Sequence, residues 1–197
     1  MLVVAGSILL ANCTKEKEMP SSPKQKDSVQ FLLNGERLVG INDIEWTDQT
    51  HFVQYNAENL AFDSDEAFLS WAESTNDSHK IIQKFNYAAE MHAMAIETGM
   101  IDDEERTLSY MNEIDNSTNR AGRTLLFDKK NHLGAFLGAY RVAAMIPKKN
   151  RNRAESVVAA GFGALCSKKW FGGAKRWYFG LPIKDLTWFN NATVSIF

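Results

Sequence analysis

Cysteine is almost absent from the chain: Cys13 and Cys166 are the only two in 197 residues. So few argue against a disulfide scaffold and against a cysteine metal cluster. Cys166 follows Ala164-Leu165 and reads as a buried, inert thiol. No apolar run reaches the roughly 18 residues that a membrane-spanning helix needs. There is no Walker loop, no Gly-x-Ser-x-Gly elbow and no dinucleotide fingerprint. His-Glu-x-x-His is missing too. His79 and His92 stand 13 residues apart, too far to share a metal on one helix, and read as solvated or capping side chains. The pattern therefore carries no catalytic constellation, and the chain reads as a non-enzyme.

What is present is an ordinary globular composition, 45% hydrophobic, 11% aromatic and 23% charged, apolar enough to bury a core. The net charge of −2 hides a split. Residues 1–120 carry 9 Lys/Arg and 21 Asp/Glu, net −12; residues 121–197 carry 13 and 3, net +10. Such asymmetry is expected of two modules that differ in surface or partner.

Residues 1–12 (MLVVAGSILLAN) are apolar and too short to cross a bilayer, like the h-region of an export signal. Leu10-Ala11-Asn12-Cys13 resembles a bacterial lipoprotein processing site, with Asn12 where that pattern has a small residue. The resemblance implies lipidation of Cys13 and an exported, membrane-anchored protein, periplasmic or at the cell surface. Residues 13–28, rich in Lys and Glu with Pro20 and Pro23, read as a flexible tether. The alternative is an N-terminal strand of a cytosolic protein.

Residues 29–119 read as a small acidic α+β unit. Val29–Leu33 and Arg37–Ile41 flank Asn34-Gly35, a type I′ hairpin signal. Phe52–Tyr55 and Leu60–Phe62 predict a second hairpin across Asn56–Asn59. A helix is predicted from Asp63, spaced as a capping box with Glu66. Ile81, Phe85, Ala88, Met91 and Ala95 predict a longer helix over 77–98, stopped by Gly99. A third begins at Asp102–Glu105, with Leu108 and Met111 on its face, and 116–122 reads as a linker.

Residues 121–197 contain a repeat at an offset of 39: Phe127 and Cys166, His132 and Phe171, Gly134 and Gly173, Ser156 and Ser195. Each copy needs a strand, a folded hairpin that exploits the glycine, and a return strand whose serine can hydrogen-bond the hairpin. Two such four-strand units pack as a Greek-key sandwich. Phe127, His132, Gly134 and Ser156, then Cys166, Phe171, Gly173 and Ser195, resemble the paired motif of the βγ-crystallin domain, with His132 and Cys166 in place of aromatics. The resemblance covers about the last 75 residues and implies an all-β double Greek key joined to the acidic α+β unit.

Microbial members of that family often bind calcium through paired polar segments. Here these map to 151–156, with Asn152, Arg153 and Glu155, and to 190–195, with Asn190, Asn191 and Ala192. Calcium wants oxygen ligands. Arg151 and Val194 depart from the pattern, and the basic surroundings oppose a divalent cation. The competing reading is two polar bends. Lys148–Arg153 forms a compact cationic cluster, suited to an anionic envelope polymer rather than to nucleic acid in an exported protein. Equally, the basic module could dock on the acidic one. Two functions follow: an extracytoplasmic binding or structural protein, or a protease inhibitor of the crystallin-like type with Pro147–Asn152 as its loop.

Overall fold

The computed structural model describes residues 29–117, 124–140, 143–158, 161–179, 183, 186, 189, 193 and 195–197. The export-signal, lipidation and tether readings, Cys13 among them, lie outside the described residues. So do most of the linker and Asn190, Asn191 and Ala192.

Strands β1 (Gln30–Leu33) and β2 (Arg37–Gly40) form the first antiparallel hairpin. Asn34 and Gly35 take left-handed φ, 51° and 77°, and Glu36 N–H closes on Leu33 O at 3.0 Å, as the Asn-Gly signal predicts; Leu33 then pairs with Arg37, which leaves Glu36 as one extra residue in the loop. The Asn34 amide donates to Asp63 at 3.0 Å. A left-handed pair recurs in a two-residue turn between β3 (His51–Tyr55) and β4 (Glu58–Phe62). There Asn56 and Ala57 both take left-handed φ, 49° and 66°, the geometry whose twist suits a hairpin.

Helix α1 spans Asp65–Glu73 and is capped by Ser64, which accepts from Ala67 N–H at 3.2 Å. The cap sits one residue after Asp63 because that carboxylate is engaged by Asn34. Helices α2 (Ser78–Glu97) and α3 (Glu104–Ser117) follow. Ile81, Ala88 and Ala95 form the inward stripe of α2. On α3 Thr107 is buried while Leu108 is exposed, because the wall that Thr107 meets carries a hydrogen-bond donor, the Trp170 indole.

The second half supplies β5 (Thr124–Phe127), β6 (Phe136–Tyr140), β7 (Ser156–Val158), β8 (Phe162–Cys166), β9 (Lys175–Phe179) and β10 (Ser195–Ile196). A seven-stranded sheet runs β10-β8-β9-β3-β4-β1-β2, and a three-stranded one runs β6-β5-β7. The fold among the described residues is thus mixed α+β, with three helices and large sheets. The sheet continues across the boundary drawn in sequence near 120, since β3 pairs with β9 in parallel, His51 opposite Lys175 and Val53 opposite Trp177. Two isolated bridges, Ala143 with Ile196 and Val157 with Ile183, link the two copies of the repeat within the second half.

Alternation along the strands sorts their side chains onto two cores. Phe52, Leu165 and Tyr178 face one cluster with Leu126, Leu137 and Val157 of the small sheet. Val53, Ala164 and Trp177 face the other, with Phe68, Ile81 and Ala88 of the helices. The arrangement is helices, large sheet, small sheet. Acidic and basic stretches meet in the ion pairs Arg151–Glu104 at 3.1 Å, Lys168–Asp48 at 2.9 Å and Lys169–Glu104 at 4.0 Å. Exposed pairs of this kind contribute about 0–1 kcal/mol each. Burial of one large apolar side chain contributes about 1.5–3 kcal/mol, and Trp170, Trp177, Phe171, Phe197 and Phe68 are all essentially inaccessible. Apolar packing holds the two halves together, and the opposite charges add little.

Candidate functional site

The two hairpins of the repeat have the same backbone. Asn131 and His132 take φ of 55° and 59°, and Trp170 and Phe171, 39 residues later, take 52° and 63°. Consecutive left-handed non-glycine residues are costly and persist only where the surroundings hold them. The return-strand serine does so. Ser156 Oγ–H donates to Lys129 O at 2.6 Å and accepts from His132 N–H at 3.0 Å. Ser195 repeats both bonds, to Lys168 O at 2.6 Å and from Phe171 N–H at 3.1 Å. Phe127 lies opposite Ser156, and Cys166 opposite Ser195. Both glycines are needed for close approach: a Cβ at Gly134 would collide with Asp128 and Lys129, and one at Gly173 with Ser167 and Lys168, where φ is also left-handed at 73°.

The second hairpin is built into the core. Trp170 is fully buried, and its indole N–H reaches Thr107 Oγ1 at 3.0 Å and Met100 O at 3.3 Å. His92 Nδ1–H donates to Trp170 O at 2.8 Å, and its ring lies over Gly172, where a Cβ would come within 2.9 Å. Asp48 accepts from Gly173 N–H at 2.7 Å and from Lys168 at 2.9 Å. These contacts hold its carboxyl below the usual range, the Lys168 bond foremost, with burial opposing. Lys175 donates to Asp48 O at 2.6 Å. In the first hairpin the matching carboxylate is local: Asp128 accepts from Ala135 N–H at 2.6 Å and from Arg153 at 3.2 Å. The second half has Ser167 at that position, and Asp48 comes from 125 residues away.

His51 is the one strongly perturbed histidine described. Its Nδ1 accepts from the Trp177 indole, a pure donor, at 3.0 Å. Nε2 therefore carries the proton and donates to Asp65 at 2.7 Å. The ring stacks on Phe68 at 4.2 Å. Burial pushes its pKa down to about 4, the Asp65 hydrogen bond opposing and nearby Lys175 assisting. Burial works against ionisation of Asp65 as well, yet the His51 bond keeps that carboxyl below its ordinary value. With both nitrogens engaged and no access to solvent, His51 organises the core.

The first hairpin faces solvent. Leu133 and Phe136 are 81% and 57% exposed, and His132 Nε2–H is satisfied by Val157 O at 3.1 Å. The basic loop leans on this hairpin. Asn150 donates its amide to Leu137 O at 2.5 Å, and Arg153 donates to Lys149 O at 3.1 Å and to Asp128. Lys148 and Lys149 are exposed at its crest. Asn150 and Arg151 N–H both close on Pro147 O, at 2.8 and 3.2 Å. Pro147–Asn152 is therefore a tight turn, not the extended strand that a cleft built for β-addition accepts.

Of the calcium residues, Asn152 has φ of 58° and donates its N–H to Thr193 O at 3.1 Å. Arg153 spans to Asp128 and places a guanidinium where a cation would compete. Glu155 stands beside it with its N–H on Phe127 O at 2.9 Å. Among the described residues no three His, Cys, Asp or Glu side chains gather as metal ligands. Glu155 is the carboxylate of the described half of the pattern, calcium takes six to eight oxygens, and Asn190, Asn191 and Ala192 of the other half lie outside the described residues. Cys166 is buried, and burial pushes its thiol up to about 12.

Compared with family models, curated proteins and solved structures, the chain matches none. The residues that tie the hairpins to the rest, Asp48, His51, His92 and Thr107, carry no local sequence signal of that role. Asp48 alone had a trace: the repeat has an acid at 128 and none at 167.

Proposed function

We propose that the protein is a non-enzymatic, extracytoplasmic binding protein on a βγ-crystallin-like double Greek key, anchored through lipidated Cys13. Its binding face is the first hairpin with the basic loop 147–153, and the ligand is an anionic polymer of the envelope. The observation that carries the reading is the asymmetry of two otherwise matched hairpins: one is consumed by the core, the other is presented to solvent beside Lys148 and Lys149. Support for the scaffold comes from the duplicated serine clamp and from the bridges Ala143–Ile196 and Val157–Ile183, in which each copy of the repeat lends a residue to the other copy's return strand. Rigid loops on a scaffold suit recognition, and clustered cations suit a polyanion in a salt-dependent way.

The test is retention of the whole chain on immobilised heparin, as a probe polyanion, across a salt gradient. Salt-sensitive retention that Lys148→Glu/Lys149→Glu abolishes, with the thermal midpoint unchanged, is the expected result. No retention at low salt, or retention indifferent to the two charge reversals, overturns the reading.

A further inference from the structure

We propose that this face docks on an anionic lipid surface, with Leu133 and Phe136 entering the headgroup layer and the basic loop beside them neutralising lipid phosphates. The proposal rests on the reading of the first hairpin as the binding face and goes beyond the polymer, giving that face a lipid surface as a further partner.

Leu133, at the hairpin tip, is the most exposed large apolar residue among the described residues, and Phe136 follows it on the same hairpin. Scattered exposed apolar residues need no explanation. These two sit on a tip that is clamped by Ser156 beneath a left-handed pair, so insertion orders nothing further. In the second hairpin the position of Leu133 is taken by Gly172, under His92, where a leucine side chain has no room. The helices that cap one hairpin therefore leave the other with an apolar tip.

The cations are contiguous with that tip. Arg153 joins Lys149 O to Asp128, Asp128 holds Ala135 N–H, and Asn150 rests on Leu137 O. Residues 124–158 hold seven Lys/Arg against Asp128 and Glu155; Arg153 answers Asp128, and Arg151 turns away to Glu104. Lys129, Lys148 and Lys149 remain exposed around the tip. A soluble polyanion would satisfy these lysines and leave Leu133 and Phe136 in water. An anionic bilayer satisfies both, since its headgroups take the charge and its acyl boundary takes the side chains.

The experiment uses the whole chain as Cys13→Ser, so that no lipid anchor contributes, with sedimentation of vesicles of phosphatidylcholine alone or mixed with phosphatidylglycerol. Binding to the mixed vesicles only is expected, weakening with salt. Each lysine neutralised to glutamine near the surface lowers partitioning about fivefold. Leu133→Ser/Phe136→Ser lowers it about tenfold or more, with the melting midpoint as the check that the fold is intact. Heparin retention without vesicle binding overturns the lipid proposal and leaves the binding face standing. Vesicle binding untouched by the two serine substitutions overturns it too. Failure of both heparin and vesicles brings down the binding face itself.

Discussion

Acidification tests the His51 site directly. In the fold the His51 pKa is about 4, against an ordinary 6.5. Between those values the unfolded chain binds a proton that the folded chain refuses, so stability falls as pH drops through this window. The contribution is fully present above pH 6.5 and is lost towards pH 4. Each pH unit is worth about 1.4 kcal/mol. From pH 7 to about 4.5, His51 alone removes about 2.5 kcal/mol, undiscounted for solvent because the ring is inaccessible. Asp65, held below its ordinary value, adds a loss of the same sign only at lower pH. A physical reason stands behind the direction: protonating Nδ1 would set its N–H against the Trp177 indole N–H that it now accepts at 3.0 Å. The assay is urea unfolding at several pH values for the parent and for His51→Gln, whose amide keeps a donor for Asp65. The parent should lose about 2.5 kcal/mol more than the variant over this range. Parallel losses in the two proteins would refute the assignment.

Other outcomes follow from the same contacts. The stretch 121–197 expressed alone should show no cooperative thermal transition by near-UV circular dichroism, because Trp170 and Trp177 lose the walls that bury them, at about 2–3 kcal/mol each; a sharp transition would show an autonomous domain. Ser195→Ala should cost about 2–3 kcal/mol by denaturant titration, since it orphans the buried Phe171 N–H. Ser156→Ala should cost about 1 kcal/mol, because water reaches the first hairpin; equal losses would contradict the difference in exposure. The Cys166 thiol should resist a thiol reagent at about pH 8 until the protein unfolds, and rapid labelling of the native protein would show that it is accessible.

Local signals in the chain were sufficient for much of the secondary structure. Apolar spacing located α2, alternation located β3 and β4, and turn residues marked where strands reverse, because these depend on neighbours within a few positions. The repeat of 39 placed both hairpins and named Ser156 and Ser195 as their partners. The Asn34-Gly35 signal located its turn, while the extra loop residue Glu36 depends on how the two strands register. The composition also pointed to two separate modules, an inference from charge. Charge describes surfaces, and the decision lay with apolar faces that pair regardless of which half they come from. The parallel pairing of β3 with β9, the insertion of Trp170 beneath α2 and α3, and the substitution of Asp48 for a missing local carboxylate all join residues more than 60 positions apart. No spacing rule reaches that far. Which of two nearly identical hairpins is buried and which is offered to solvent is therefore a property of the packed chain: the fold has one set of helices, and they cover one hairpin.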